Sequence, residues 1–141
     1  RQVAFHNFEN LVHTHRRNGE LSSEQISKFW VETQKQALGP AIRIDDSFKP
    51  IWAYVPHFVH SPFYVYAYAF GDCLVNALWQ VYQDGLDPEF NTHYKTLLRS
   101  GGTVRFDSAL APFSLNPSAP EFWNKGLDMI SSMIDQVEDL Q

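Results

Sequence analysis

Only one cysteine, Cys73, stands in the 141 residues, so no intrachain disulfide can form. That count fits a reducing, cytoplasmic setting, which is the expected localisation. Basic residues are also scarce: 11 Lys and Arg face 16 Asp and Glu, leaving a formal charge of −5. The bases Arg16, Arg17, Lys28, Lys35, Lys95, Arg99 and Lys125 are scattered, and no basic face of the kind that grips nucleic acid can be assembled from them. No membrane span is expected. Phe63 to Tyr82 carries a single formal charge, Asp72, but Asn76, Gln80 and the three tyrosines near its start would place polar groups in hydrocarbon. Repeats, low-complexity tracts and long strand-like alternation are all missing. A signal peptide is not expected from Arg1 to Asn10, which is polar and amphipathic. The chain does not begin with Met and opens inside a helical pattern, which reads as a segment of a longer protein.

What is present is a series of helical stripes in a chain that is 44% hydrophobic and 15% aromatic. Gln2 to Arg17 spaces Ala4, Phe5, Phe8, Leu11, Val12 and His15 as a helix, stopping at Asn18-Gly19. Ser22 and Gln25 then form a capping-box pattern. Ile26, Phe29, Trp30, Thr33 and Ala37 follow as a second stripe, closed by Gly39-Pro40, so the two helices are expected to run antiparallel. Ala41 to His60 is irregular, yet Trp52, Tyr54, Phe58 and Val59 need packing partners, which predicts an ordered connection.

Ser61-Pro62 reads as an N-cap followed by proline, the start of a long apolar helix to Gln83. Asp87-Pro88 repeats that pattern before Phe90, Tyr94, Leu97 and Leu98, and Gly101-Gly102 ends the helix. A short turn follows from Asp107. Pro112, Pro117 and Pro120 then precede a last helix with Trp123, Gly126-Leu127, Ile130, Met133-Ile134 and Val137 on one face. The expected fold is all-α: one helical domain over residues 1–141, a bundle of about five helices around a long buried central helix.

Complete active-site motifs are missing. A zinc-peptidase helix needs two histidines four apart with a glutamate beside the first, and none of the six histidines offers that. His13 and His15 are two apart and point in different directions, while His57 and His60 precede the expected helix start. No metal ligand is therefore assigned within the chain. Cys73 sits in an apolar run where a thiol is usually inert, and no serine sits in a glycine-flanked elbow.

The most informative stretch is Tyr54 to Phe70, with three tyrosines at alternate positions. On a helix at about 100° per residue, Tyr64 and Tyr68 lie roughly 40° apart while Tyr66 lies roughly 160° from each. Read from the residues alone, all three can be amphipathic core side chains with their hydroxyls tied to neighbours.

Val55-Pro56-His57-Phe58, followed by Ser61-Pro62-Phe63-Tyr64-Val65-Tyr66-Ala67-Tyr68-Ala69, resembles the Pro-His-Phe and Pro-Phe-Tyr-Val-Tyr signature of the oligoendopeptidase F family. Arg1-Gln2, Phe5 and Phe8-Glu9 resemble that family's helix after its zinc site, and Gly19-Glu20-Leu21 the following turn. Leu97 to Gly102 is similar to its glycine-ended helix, and Phe122-Trp123 with Gly126-Leu127 to its terminal helix.

The resemblance implies the C-terminal part of a larger zinc-peptidase catalytic domain that hydrolyses short peptides. Zinc would be bound upstream, by a His-Glu-x-x-His helix and a glutamate outside this chain. The implied partners are the oligopeptide substrate and the upstream part of the same protein. The implied role of this segment is a channel wall bearing a His/Tyr pair that stabilises the tetrahedral intermediate, with His57 and Tyr64 in those positions. Tyr68 is the next candidate, as second donor or substrate contact, and Tyr66 is assigned to the core. His60 is placed near the substrate with no role given by the motif. The segment alone is expected to be inactive. The contrasting reading is a non-catalytic helical module that binds a partner through an aromatic face.

Overall fold

The computed structural model describes residues 1–140 and contains, among them, seven α-helices, two 3-10 helices and no strand. The five helices expected from the stripes are all there. They are α1 (Gln2–Arg16), α2 (Ser23–Leu38), α4 (Tyr66–Gln83), α5 (Phe90–Ser100) and α7 (Pro120–Glu138). The connection between α2 and α4 is ordered as a 3-10 helix, Asp46–Tyr54, and a short α3, His57–His60. The turn expected from Asp107 forms α6, Phe106–Leu110, which leads into a second 3-10 helix, Ala111–Phe113. The chain divides into two compact units, Arg1–Ala69 and Phe70–Gln141, so the opening residues of α4 belong to the first.

In the first unit, α1 packs against α2 across the glycine turn at Gly19, whose φ is 142°. The Ser22 hydroxyl accepts the Gln25 N–H at 3.2 Å, and the Gln25 side chain accepts the Ser22 N–H at 2.8 Å, a completed capping box. The core is aromatic. Trp30, 1% exposed, meets Phe5 and Phe8 with ring centroids 5.2 Å away, and Phe48 and Phe58 close the cluster. Rings of this size each gain roughly 1.5–3 kcal/mol on burial, which outweighs any propensity term here.

Two indole N–H groups stitch the irregular connection to α2: Trp30 donates to the Phe48 carbonyl and Trp52 to the Ser27 hydroxyl, both at 3.1 Å. Asp45 caps the 3-10 helix, and the Ser47 hydroxyl, followed by its backbone N–H, holds the Asp45 carboxyl below the usual carboxylate range. Trp52 and Phe58 pack as expected. Tyr54, 86% exposed, and Val59 do not, because they fall on the outer side of these short turns.

The central helix begins later than its sequence suggests. Ser61-Pro62 does not open it; Phe63 has φ of 62°, and the helix starts at Tyr66. A cap-plus-proline start is a local preference, and a tertiary bond from Glu9, described below, overrides it. Asp87-Pro88 behaves similarly. The Asp87 carboxylate accepts the Glu89 N–H at 2.9 Å and lies 2.7 Å from His93 Nδ1, and α5 begins after this turn, at Phe90.

In the second unit, Ala77, Leu78 and Val81 of α4 form the core with Leu110, Phe113, Leu115 and Phe122. Phe122 and Gly126 of α7 are buried, but Leu127, Ile130, Met133, Ile134 and Val137 are exposed. The stripe seen in the sequence is real, and only its N-terminal part finds a partner among the described residues.

Candidate functional site

Between residues 55 and 66 a short helix and successive hydrogen-bonded turns build the site. Pro56 sets the start of α3, and His57 is its first residue. The Ser61 N–H returns to the His57 carbonyl at 3.0 Å, the Tyr64 N–H to the Ser61 carbonyl at 3.2 Å, and the Ala67 N–H to the Tyr64 carbonyl at 3.0 Å. Tyr64 therefore sits in the turn just before α4, and Tyr68 in the first turn of that helix.

The structure brings His57, Tyr64 and Tyr68 together. The His57 ring stacks on Tyr64, with centroids 5.4 Å apart and planes 16° apart. Tyr68 meets both edge-on, 6.3 Å from His57 and 5.9 Å from Tyr64. The convergence does not come from a shared helical face, since Tyr64 precedes the helix; it comes from the turn.

Tyr64 is 49% exposed and Tyr68 52%, while His57 is half-buried. Neither phenol is jammed into an aliphatic core. An imidazole and two phenols so placed offer O–H and N–H donors to anything docking on this face, and a neutral phenol can donate to an oxygen that gains negative charge.

The other two assigned positions fare differently. His60, at the far end of α3, is exposed and shares no ring contact with the cluster among the described residues. The four residues from His57 to His60 are helical after all, contrary to the expectation that both histidines lie outside regular helix. Tyr66, assigned to the core, is instead 51% exposed, and its ring lies edge-on to His6 at 6.4 Å. As the first residue of α4 it projects from a helix end, whereas the core position is taken by its neighbour Val65, 1% exposed.

Sequence reasoning missed Glu9. It is 2% exposed, and its Oε1 accepts the Phe63 N–H at 2.6 Å, while its Oε2 is buried with no partner among the described residues. The signal was available: Glu9 is four residues from Phe5 and adjacent to Phe8, a carboxylate on the apolar stripe of α1.

Two cavities lie elsewhere. One of about 1040 Å³ runs along α2 past Ser27, Lys28, Val31 and Lys49. The other, about 450 Å³, is lined by Trp79, Tyr82, Phe90 and Tyr94. Among the described residues no three His, Cys, Asp or Glu side chains gather closely enough to hold a metal ion. Nor is any helix of the described residues long and apolar enough to cross a membrane.

Comparison with known proteins agrees with the motif. Residues 1–129 match the model of peptidase family M3. The chain is 29% identical over 142 residues to Oligopeptidase PepF of Bacillus subtilis (strain 168), covering 99% of this chain and 21% of that protein. It is 27% identical over 109 residues to the Oligoendopeptidase F homolog of Borreliella burgdorferi, covering 77% of this chain and 18% of that protein. The chain thus spans about a fifth of the length of these curated relatives. No solved structure matches it. The match over residues 1–129 and the signature around His57 and Tyr64 agree, and the chain belongs to peptidase family M3, with its likeness to the oligoendopeptidase F members.

Proposed function

We propose that this chain is the C-terminal part of a metallopeptidase that hydrolyses short peptides, and that it supplies a wall of the substrate channel and the donors for the tetrahedral intermediate. The single observation carrying this reading is the half-exposed cluster of His57, Tyr64 and Tyr68, three hydrogen-bonding side chains held ring to ring on one face. Attack on a peptide carbonyl moves charge onto its oxygen. A phenol O–H from Tyr64 then donates a stronger bond than it can to the neutral carbonyl, so the barrier falls. His57, stacked on Tyr64, is the second donor and also limits where that ring can lie. Tyr68, edge-on to both, fixes the pair and contacts substrate, and His60 meets the peptide further out.

We assign the zinc that the family implies to residues upstream of this segment, following the likeness of the His57–Tyr64 signature to the oligoendopeptidase F pattern. The match to a peptidase family supports this reading over a non-catalytic binding module.

The test is Tyr64→Phe in the full-length enzyme. One oxyanion donor is worth on the order of 10²–10³ in rate. The expected result is a kcat reduced by that order with KM little changed, because the bond is made in the transition state. An unchanged kcat would remove Tyr64 from the chemistry.

A further inference from the structure

We propose that Glu9 is the positioning residue of the Tyr64 turn, and that with His6 and His13 it forms a ledge on α1 to which residues 63–66 are locked. The proposal rests on the reading of Tyr64 as a donor to substrate, and it names what holds that donor in place.

Spacing supplies the ledge. His6, Glu9 and His13 are three and four residues apart on α1, so they share one stripe of that helix. Each grips the turn at a different point. Glu9 Oε1 accepts the Phe63 N–H at 2.6 Å. The His13 ring lies 4.5 Å from the Phe63 ring, and the His6 ring meets Tyr66 edge-on at 6.4 Å. Between them Val65 is sunk into the aromatic core, 1% exposed, with Phe5, Phe8 and Trp30. Tyr64 is thereby pinned through both neighbours while its own ring stays free to stack on His57.

Phe63 shows that the pinning is active. Its φ of 62° lies in the left-handed region, where a bulky residue does not persist unless its surroundings impose it. A carboxylate accepting a backbone N–H is among the stronger hydrogen bonds a protein makes, and it is aimed at the amide of that strained residue.

Packing alone would not select a buried carboxylate at this position. Its second oxygen is buried without a partner among the described residues, and a well-packed apolar side chain of similar volume would serve stability at least as well. What an apolar residue could not do is hold the Phe63 amide, and with it the register of the turn.

The experiment uses the full-length enzyme with Glu9→Gln, Glu9→Leu, Tyr64→Phe and the Glu9→Leu/Tyr64→Phe double variant. Glu9→Gln keeps an acceptor and should retain kcat within about threefold, whereas Glu9→Leu keeps volume without an acceptor. A catalytic group displaced by about 1 Å can lose on the order of 100-fold, so Glu9→Leu should lower kcat by roughly 10- to 100-fold with KM little changed. Added to Tyr64→Phe it should cost nothing further, because both act through one group. Amide hydrogen exchange at Phe63, read on the wild-type and Glu9→Gln enzymes, should be slow in both.

A wild-type kcat in Glu9→Leu beside a defective Tyr64→Phe would overturn this inference alone. So would equal defects in the Gln and Leu variants, additive effects in the double variant, or a fast-exchanging Phe63 amide in the wild type. A wild-type kcat in Tyr64→Phe would overturn the donor reading and this inference with it.

Discussion

Gly126 of α7 lies so close to Cys73 of α4 that a Cβ built on it would come within 3.1 Å of both the Cys73 Cα and its carbonyl oxygen. The two helices meet closely at that point, and a methyl added to Gly126 would require the Cys73 backbone to give by a few tenths of an ångström. At Gly71, on the same helix as Cys73, the corresponding position meets nothing among the described residues within 4 Å beyond its chain neighbours and its own helix's backbone.

This contrast gives a paired stability prediction. In a helix interior, Ala is favoured over Gly by about 1 kcal/mol. At Gly71 that gain is unopposed, so Gly71→Ala should raise the stability of the chain by roughly 0.5–1 kcal/mol. At Gly126 the added methyl presses on main-chain atoms that cannot rotate away, and overpacking costs about 1–3 kcal/mol. Gly126→Ala should therefore lower stability despite its better propensity. Urea unfolding of the two variants checks both signs, and a stabilised Gly126→Ala would mean that the helices do not approach as described.

The thiol beside that contact should be sluggish. Partial burial, and secondarily the Asp72 carboxylate, push the Cys73 thiol above the ordinary cysteine range. At pH 8 less of it is thiolate than in a free cysteine, so iodoacetamide should label it more slowly, with a rate that keeps climbing as pH rises. The linked effect on stability has a definite sign. A folded value above the unfolded one means that the native state holds the proton more tightly. The contribution is thus complete below the ordinary thiol range and lost as pH rises through the folded value. Labelling as fast as that of free cysteine would contradict the burial.

Removing the Ser22 cap isolates a local contribution. Ser22→Ala deletes the acceptor for the Gln25 N–H and leaves only the reciprocal bond from the residue 22 N–H to the Gln25 side chain, both of them exposed. A loss of about 1 kcal/mol is expected. Ser22→Gly should cost only a few tenths, because water can reach the freed amide. Thermal unfolding monitored at the Trp30 indole would separate the two, since Trp30 lies in the helix that Ser22 caps.

Some of this architecture was plain in the sequence, and the reason is that it is local. The five long helices follow from apolar spacing, and Ser22, Gly39 and Gly101 end or begin them where their side chains or backbone freedom dictate. The cluster of His57, Tyr64 and Tyr68 was legible as a motif, although the supposed reason for its convergence, one helical face, is not the one the structure uses.

Errors gathered where a distant residue decides. Ser61-Pro62 carries every local mark of a helix start, yet Glu9, 54 residues away in sequence, takes the Phe63 amide and delays the helix to Tyr66. The shift of start explains why Tyr66 is exposed and Val65 buried. Along α7, spacing located the apolar face correctly, but periodicity alone does not say how much of a face its partners cover.

The last prediction concerns metal and the segment by itself. Tight zinc sites need three or four donors held near 2 Å, and a segment meets that need only if its fold gathers them. His57 and His60 lie on one short helix, His6 and His13 on α1, and His93 is engaged with Asp87, so the described residues offer scattered single donors rather than a set. Purified chain given zinc and an internally quenched peptide should show no turnover that a chelator abolishes. The same peptide with the full-length protein should be cleaved in a chelator-sensitive way. On the proposed division of roles, in which His57, Tyr64 and Tyr68 donate hydrogen bonds and water is activated upstream, restoring activity should require the upstream part of the protein, added in trans or in one chain. Chelator-sensitive cleavage by the segment alone would show that the donors and the attacking group both reside here, and the division of labour proposed for this chain would fall.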